Sequence, residues 1–176
     1  MKRVKTNRAL KGALLGAISG VVGTGAMDLV WFRRFRRDGG SVGLYEWETG
    51  SSIAGWANAS DPGKVGHLIL QKVSGHEVAD GRARSVSNVV HWATGLLWGV
   101  PFGILALTLP RRRREFGLLL GPTAWLSSYV ILPLLRIYKP IWQYDSRNLA
   151  EDLSAHMTFG LVTALTFTLL GASPET

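Results

Sequence analysis

Residues 89–109 read VVHWATGLLWGVPFGILALTL, and none of these positions holds Asp, Glu, Lys or Arg. A helix rises about 1.5 Å per residue, so about twenty apolar residues cross the roughly 30 Å hydrocarbon core of a bilayer. Pro110 ends the stretch, and four arginines follow at 111–114. The stretch therefore predicts a transmembrane helix.

Three further stretches, at about residues 12–32, 116–137 and 149–170, are similarly apolar with at most two charged residues each, and the other charged residues lie between the stretches. In hydrocarbon the backbone must satisfy its own hydrogen bonds, and a helix does so within one segment. The sequence therefore predicts an all-α fold. We expect one membrane domain over residues 1–176, a polytopic bundle of four transmembrane helices in a lipid bilayer.

Basic residues set the expected topology. Five precede the first stretch, at positions 2, 3, 5, 8 and 11, and Arg111–Arg114 follow the second. Cytoplasmic loops are enriched in Lys and Arg, so we expect both termini in the cytoplasm. The cluster Arg33–Arg37 opposes this orientation, although a long loop obeys the rule weakly. The same cluster argues against a cleaved signal peptide at residues 12–32, because positive charge directly after an apolar run hinders export.

The net charge of +8 and the absence of cysteine limit the function classes. Basic flanks of apolar spans serve topology and anionic lipid headgroups, and no nucleic-acid-binding motif accompanies them, so we predict no nucleic-acid partner. Without cysteine there is no disulfide, thiolate metal site or cysteine nucleophile. Phosphate-binding glycine loops, nucleophile elbows and HExxH motifs are also absent.

The long loop, residues 33–88, contains a short amphipathic helix at about residues 62–74. Asp61 is a plausible N-cap for this helix, Pro62 is favoured in a first turn, and Gly75 is favoured at a helix end. Its apolar residues share one face, and about twelve residues are too few to span a membrane. We expect this helix to lie on the membrane surface or to pack on the bundle.

Small residues recur every fourth position, a glycine-zipper pattern. This spacing places them on one stripe of each helix, where they let neighbouring backbones approach closely in lipid. The pattern indicates tight helix packing and leaves open a homo-oligomer. The glycines concerned are Gly12, Gly16, Gly20, Gly95, Gly99, Gly103, Gly117, Gly121 and Gly160.

Six polar residues fall at one end of an up-and-down bundle, the outer end if the N-terminus is cytoplasmic. They are Asp28, His91, Arg136, Glu151, Asp152 and His156. Structural pairing is the plain interpretation. Three functional interpretations remain open: a proton or ion site, a divalent-metal site formed by both histidines with a carboxylate, and a haem held by the two histidines.

These observations lead to a ranked set of functions. A non-enzymatic structural or accessory membrane protein comes first, with no catalytic residue, metal or cofactor assigned. A small transporter or proton-linked channel comes second, using Asp28, His91, Asp152 and His156. A membrane enzyme or a haem- or metal-binding protein is the third class.

Residues 89–170 resemble the YagU-like bacterial inner-membrane proteins of unknown function. The resemblance rests on a histidine early in one span, a basic turn, a proline-containing span, Pro140 with Trp142, and then Asp152-x-x-x-His156. It implies a small polytopic protein of the bacterial cytoplasmic membrane with a role in acid stress. It supplies no site residues.

Overall fold

The computed structural model describes residues 2–171, with side chains from residue 7 onwards. Six α-helices follow one another: α1 Lys2–Arg37, α2 Leu44–Glu48, α3 Asp61–Ser74, α4 Ala83–Thr108, α5 Arg113–Leu134 and α6 Ser146–Gly171. No strand occurs between residues 2 and 171, so the all-α prediction is confirmed. The side chains of Lys2, Arg3 and Lys5, used in the topology prediction, lie outside the described part.

Four helical segments within the described residues are long and apolar enough to cross a membrane: Asn7–Arg37, Asp80–Thr108, Pro110–Leu134 and Ser146–Gly171. The predicted four-helix membrane bundle is therefore confirmed. All four helices begin three or more residues before the apolar stretches that predicted them. The first, α1, also runs on to Arg37; its 36 residues correspond to about 54 Å, longer than the hydrocarbon core. Its polar ends therefore project beyond the apolar layer.

Helix α1 packs lengthwise against both α4 and α6. Its three stripe glycines lie against those of the antiparallel α4, in the pairs Gly12 with Gly103, Gly16 with Gly99, and Gly20 with Gly95. A methyl group added at Gly16 would overlap the carbonyl oxygen of Gly99. The two backbones are thus in direct contact, which only glycine permits at these positions.

Helix α6 packs against α5 through a second set of small residues. A methyl group at Gly121 would overlap the carbonyl oxygen of His156, and one at Gly117 would lie 2.8 Å from the Cβ of Ala164. Gly23 of α1, which the stripe pattern did not include, lies against Thr163 and the backbone of Phe159 in α6. The glycine faces are therefore occupied by contacts within one chain.

The order of the spans around the bundle is α4, α1, α6, α5. Helices α4 and α5 follow each other in sequence, yet they contact each other much less than α1 contacts α4 or α6. The core lies between the spans and is built mainly from Phe102, Leu120, Ala124, Phe159 and Phe167. The weak α4–α5 contact leaves room for a cavity between these helices.

The predicted loop helix is α3, and one detail of the prediction is wrong. Its N-cap is Ser60, whose hydroxyl accepts a hydrogen bond from the Gly63 amide at 3.3 Å, whereas Asp61 is already helical. The helix ends at Gly75 with φ of +69°, a left-handed conformation that glycine adopts without strain. Adjacent Ser and Asp are both good caps, so sequence alone did not separate them.

Helix α3 turns its glycine face, not its apolar face, towards the bundle. Gly63 and Gly66 are buried against Ser87, Val86 and Val90 of α4. The apolar residues Leu68, Ile69 and Val73 remain exposed at 40%, 55% and 81%. The helix is thus fixed to α4 while its apolar face points away from the protein.

Candidate functional site

One end of the bundle brings together the ends of all four spans. Late in α1, Arg34 donates to the backbone oxygen of Glu151 and to the hydroxyl of Ser154, both early in α6. Late in α5, Tyr129 donates to Asp152 of α6 at 2.9 Å. The predicted polar residues therefore come from segments that meet in space, and they divide into two buried groups and a surface remainder.

The first buried group is built on Asp28 of α1 and His91 of α4. His91 Nε2 lies 3.0 Å from Oδ1 and 2.9 Å from Oδ2 of Asp28. The Asp28 side chain is only 7% exposed and that of His91 27%. A carboxylate buried this deeply is retained only with a partner that compensates its lost hydration.

Glu48 completes this group, and the sequence analysis missed it. One ligand atom from each of Asp28, Glu48 and His91 lies within 4.8 Å of the other two. Burial, and then repulsion from the neighbouring Asp28, raise the pKa of the half-buried Glu48 carboxyl. Asp28 and Glu48 are twenty positions apart on different elements, and no spacing rule connects a loop residue to a transmembrane helix.

Contacts on both sides of Glu48 hold α2 over the bundle. Arg84 Nε donates to the backbone oxygen of Thr49 at 2.7 Å, and Asn88 Nδ2 donates to the same oxygen at 3.0 Å. On the other side, the ring of Trp47 packs against Phe32 with centroids 5.6 Å apart. Glu48 is therefore positioned from α1 and α4, the same helices that supply Asp28 and His91.

A cavity of about 470 Å³ adjoins this group. All three members of the group line it, together with Trp31, Arg34 and Glu151 among others. The cavity presents both positive and negative side chains next to Asp28, Glu48 and His91. Such a cavity gives water and small ions a place beside Glu48 and His91.

The second buried group is centred on Asp152 of α6. Its Oδ2 accepts the hydroxyl of Tyr129, and its Oδ1 lies 3.3 Å from His156 Nδ1. His156 Nδ1 also donates to the backbone oxygen of Asp152 at 3.0 Å, one helical turn earlier. The rings of Tyr138 and Tyr144 pack around Tyr129 with centroids 5.3 and 5.4 Å away. Burial, and then the nearby Asp61, raise the pKa of Tyr138, so this hydroxyl stays protonated.

The other two predicted residues lie outside these groups. Glu151 forms ion pairs with Arg37 at 3.4 Å and with Arg147 at 3.3 Å. Arg136 follows the end of α5 in a left-handed conformation, φ +58°, and its side chain is exposed. The arginine partners of Glu151 are exposed, and ion pairs of this kind contribute little to stability.

The residues that could hold a metal ion differ from those predicted from the sequence. Within the described residues, the group of His and carboxylate side chains close enough to share one ion consists of Asp28, Glu48 and His91. His156 is not a member, because its ring is directed to Asp152. The predicted pairing of His91 with His156 around one metal is therefore replaced by a set that includes Glu48.

The chemistry of the site residues indicates what the site can bind. Asp28, Glu48 and His91 are a carboxylate–histidine group of the kind that binds protons or cations, and Asp152 with Tyr129 and His156 is a second polar group at the same end. The chain matches no protein-family model, no curated protein and no solved structure.

Proposed function

We propose that this protein is a small proton-linked transporter of the bacterial cytoplasmic membrane, with Asp28, Glu48 and His91 as its proton-binding group. The observation that carries the proposal is the approach of these three side chains to within 4.8 Å of one another, with Asp28 almost fully buried. The proposal moves the transporter interpretation ahead of a purely structural one.

The third ionisable group is what favours function over structural pairing. One carboxylate and one imidazolium neutralise each other, and such a pair needs nothing further. A second carboxylate, that of the half-buried Glu48, adds like-charge repulsion, which is relieved when the group takes up a proton. Ionisable residues inside a membrane bundle are rare, and they mark proton and ion pathways.

The position of His91 supports a role in transfer. His91 and Trp31 line the 470 Å³ cavity and also a second cavity of about 400 Å³ inside the bundle. A proton held by this group thus lies between the two spaces. A proton-linked carrier needs such a connection between its proton site and its substrate site.

The membrane and its orientation are part of the proposal. The resemblance to YagU-like proteins supports the bacterial cytoplasmic membrane, and the basic N-terminus and Arg111–Arg114 support cytoplasmic termini. The cluster at 33–37 opposes this orientation. Its weight as a topology signal is reduced, because Arg34 and Arg37 are engaged with Glu151, Ser154 and Asp38. With this orientation the proton group faces the outer side.

Proton flux into proteoliposomes tests the proposal. The purified protein is reconstituted with a trapped pH-sensitive dye, and a potassium–valinomycin potential drives protons inwards. We expect flux in the wild type, a strong reduction in Asp28→Asn and His91→Ala, and no change in Glu77→Gln, an exposed carboxylate of the same loop. Flux in His91→Ala equal to that of the wild type would show the proposal to be wrong.

A divalent ion is the competing occupant of the same three side chains, since carboxylate oxygen and imidazole nitrogen suit Zn²⁺ or Mn²⁺. Thermal unfolding in detergent distinguishes the two. A Tm that rises with micromolar Zn²⁺ in the wild type but not in Glu48→Gln would assign the site to metal. A Tm that does not respond supports the proton assignment.

A further inference from the structure

The second cavity lies inside the bundle where α4 and α5 separate. It holds about 400 Å³, within the range of about 300–1,000 Å³ that is usual for small-molecule sites. All four spans contribute to its wall, and Asp61, Pro62 and Val65 of α3 cover one side. Its position among the spans, with α3 over it, suits a compact and largely apolar molecule.

The charge of the wall is unusual for this protein. The chain carries a net +8, yet no Lys or Arg of the described residues lines the cavity. The ionisable residues of the wall are two carboxylates, Asp61 and Asp152, together with His91, His156 and Tyr138. Asp61 is paired with the cationic Lys64 at 3.1 Å. The partners of Asp152 are instead the imidazole of His156 and the hydroxyl of Tyr129, so Asp152 is the main source of negative charge. Asp28 and Glu48, behind His91, add to the negative potential.

Four aromatic rings line the cavity, among aliphatic and small polar side chains. They are supplied by Trp31 of α1, Trp98 of α4, Phe159 of α6 and Tyr138. The face of an aromatic ring attracts cations, and indole does so most strongly. A carboxylate together with several aromatic rings is an environment that favours an organic cation over an anion or a sugar.

We propose that this cavity binds a lipophilic organic cation, a compact molecule with one delocalised or quaternary positive charge and apolar substituents. The proposal deepens the proposed function by naming its substrate class. Transport of the cation rests on that function, whereas binding does not. His91 lies on the wall, so a proton on the Asp28–Glu48–His91 group and a cation in the cavity repel each other.

The binding test uses tetraphenylphosphonium, a permanent cation without hydrogen-bond donors, on the full chain in a non-ionic detergent. Isothermal titration gives the affinity, and quenching of tryptophan fluorescence reports on Trp31 and Trp98. Tetraphenylborate has the same shape with the opposite charge, so the difference in affinity between the two ions measures the effect of charge. We expect the phosphonium to bind at least about tenfold more tightly than the borate, a difference of about 1.4 kcal/mol.

Two variants locate the site. Asp152→Asn should weaken phosphonium binding about tenfold, whereas Glu115→Gln, which removes an exposed carboxylate at the far end of the bundle, should not change it. Thr94→Lys places a cation at the exposed edge of the cavity and leaves Asp152 and its partners intact. It should reverse the preference, so that the borate binds more tightly than the phosphonium.

The outcomes separate this proposal from the proposed function. Equal affinity for the two ions, or phosphonium binding that neither variant changes, overturns the cation site, and equal affinity would indicate an acyl-chain cavity instead. Charge-selective binding that depends on Asp152 supports the site, even in a protein without proton flux. In that case the cavity assignment stands and the transporter assignment fails.

Discussion

His91 Nε2 lies within 3.0 Å of both carboxylate oxygens of Asp28, although the two residues are 63 positions apart in the sequence. The contact joins α1 to α4 at the end where their glycine interface stops. It therefore combines a structural role with the proton-binding role proposed above, and the first prediction separates the two.

Removal of His91 alone should destabilise the fold. His91→Ala leaves Asp28 buried without its partner, and breaking a buried pair in this way costs about 3–5 kcal/mol. The double variant Asp28→Asn with His91→Ala should recover part of that loss, because no charge is left behind. Unfolding in mixed micelles measures the free energies. A double variant less stable than His91→Ala would contradict the buried-charge explanation.

Glu48 should make stability depend on pH. Its pKa is raised above the ordinary 4.5, so the folded state holds the proton more tightly than the unfolded chain. The stabilising contribution is complete below pH 4.5 and is lost as the pH rises through the folded-state pKa. Glu48→Gln stays neutral, so we expect its Tm to exceed that of the wild type at neutral pH and to equal it near pH 4.

The control for that prediction is Glu77→Gln, another loop carboxylate, which is exposed. Its Tm should follow the wild type across the whole pH range. A difference between Glu48→Gln and the wild type that persists unchanged at pH 4 would attribute the effect to the amide itself rather than to the lost ionisation.

The α1–α4 backbone contact should not tolerate a methyl group. A Cβ at Gly99 would overlap the carbonyl oxygen of Gly16, and overpacking of this kind costs about 1–3 kcal/mol. Gly99→Ala should therefore lower the Tm. Gly25→Ala is the matched control, because its Cβ would meet only the ring of Trp92 at 3.7 Å, an ordinary contact. Equal Tm values for the two variants would argue against the close approach.

Arg84 should hold Glu48 in place through α2. Arg84→Ala removes the hydrogen bonds to the backbone oxygen and hydroxyl of Thr49, at 2.7 and 2.9 Å. We expect faster amide hydrogen exchange at residues 44–49 and a Tm that varies with pH less than in the wild type, because Glu48 regains water. Arg82→Ala, an exposed neighbour, should leave exchange unchanged. Unchanged exchange in Arg84→Ala would show that the Trp47 contact alone holds α2.

Only part of the candidate site could be predicted from the sequence. The apolar stretches place Asp28 and His91 near the same end of a bundle, because helices of similar length cross the same layer. The i,i+4 spacing of Asp152 and His156 allows them to interact, but the sequence did not show whether His156 pairs with Asp152 or shares a site with His91. That division depends on which helices are neighbours and on their rotation, and both are set by packing.

The sequence by itself determined the four spans and the loop helix α3, because the thickness of hydrocarbon fixes the length of an uncharged helix and the helical repeat fixes which residues share a face. Only the tertiary structure decided that the glycines of α1 meet those of α4, and that Glu48 joins Asp28 and His91. These contacts depend on close packing and on hydrogen bonds between distant segments, such as the one from Arg84 to Thr49. Such contacts produce no repeating pattern in the sequence.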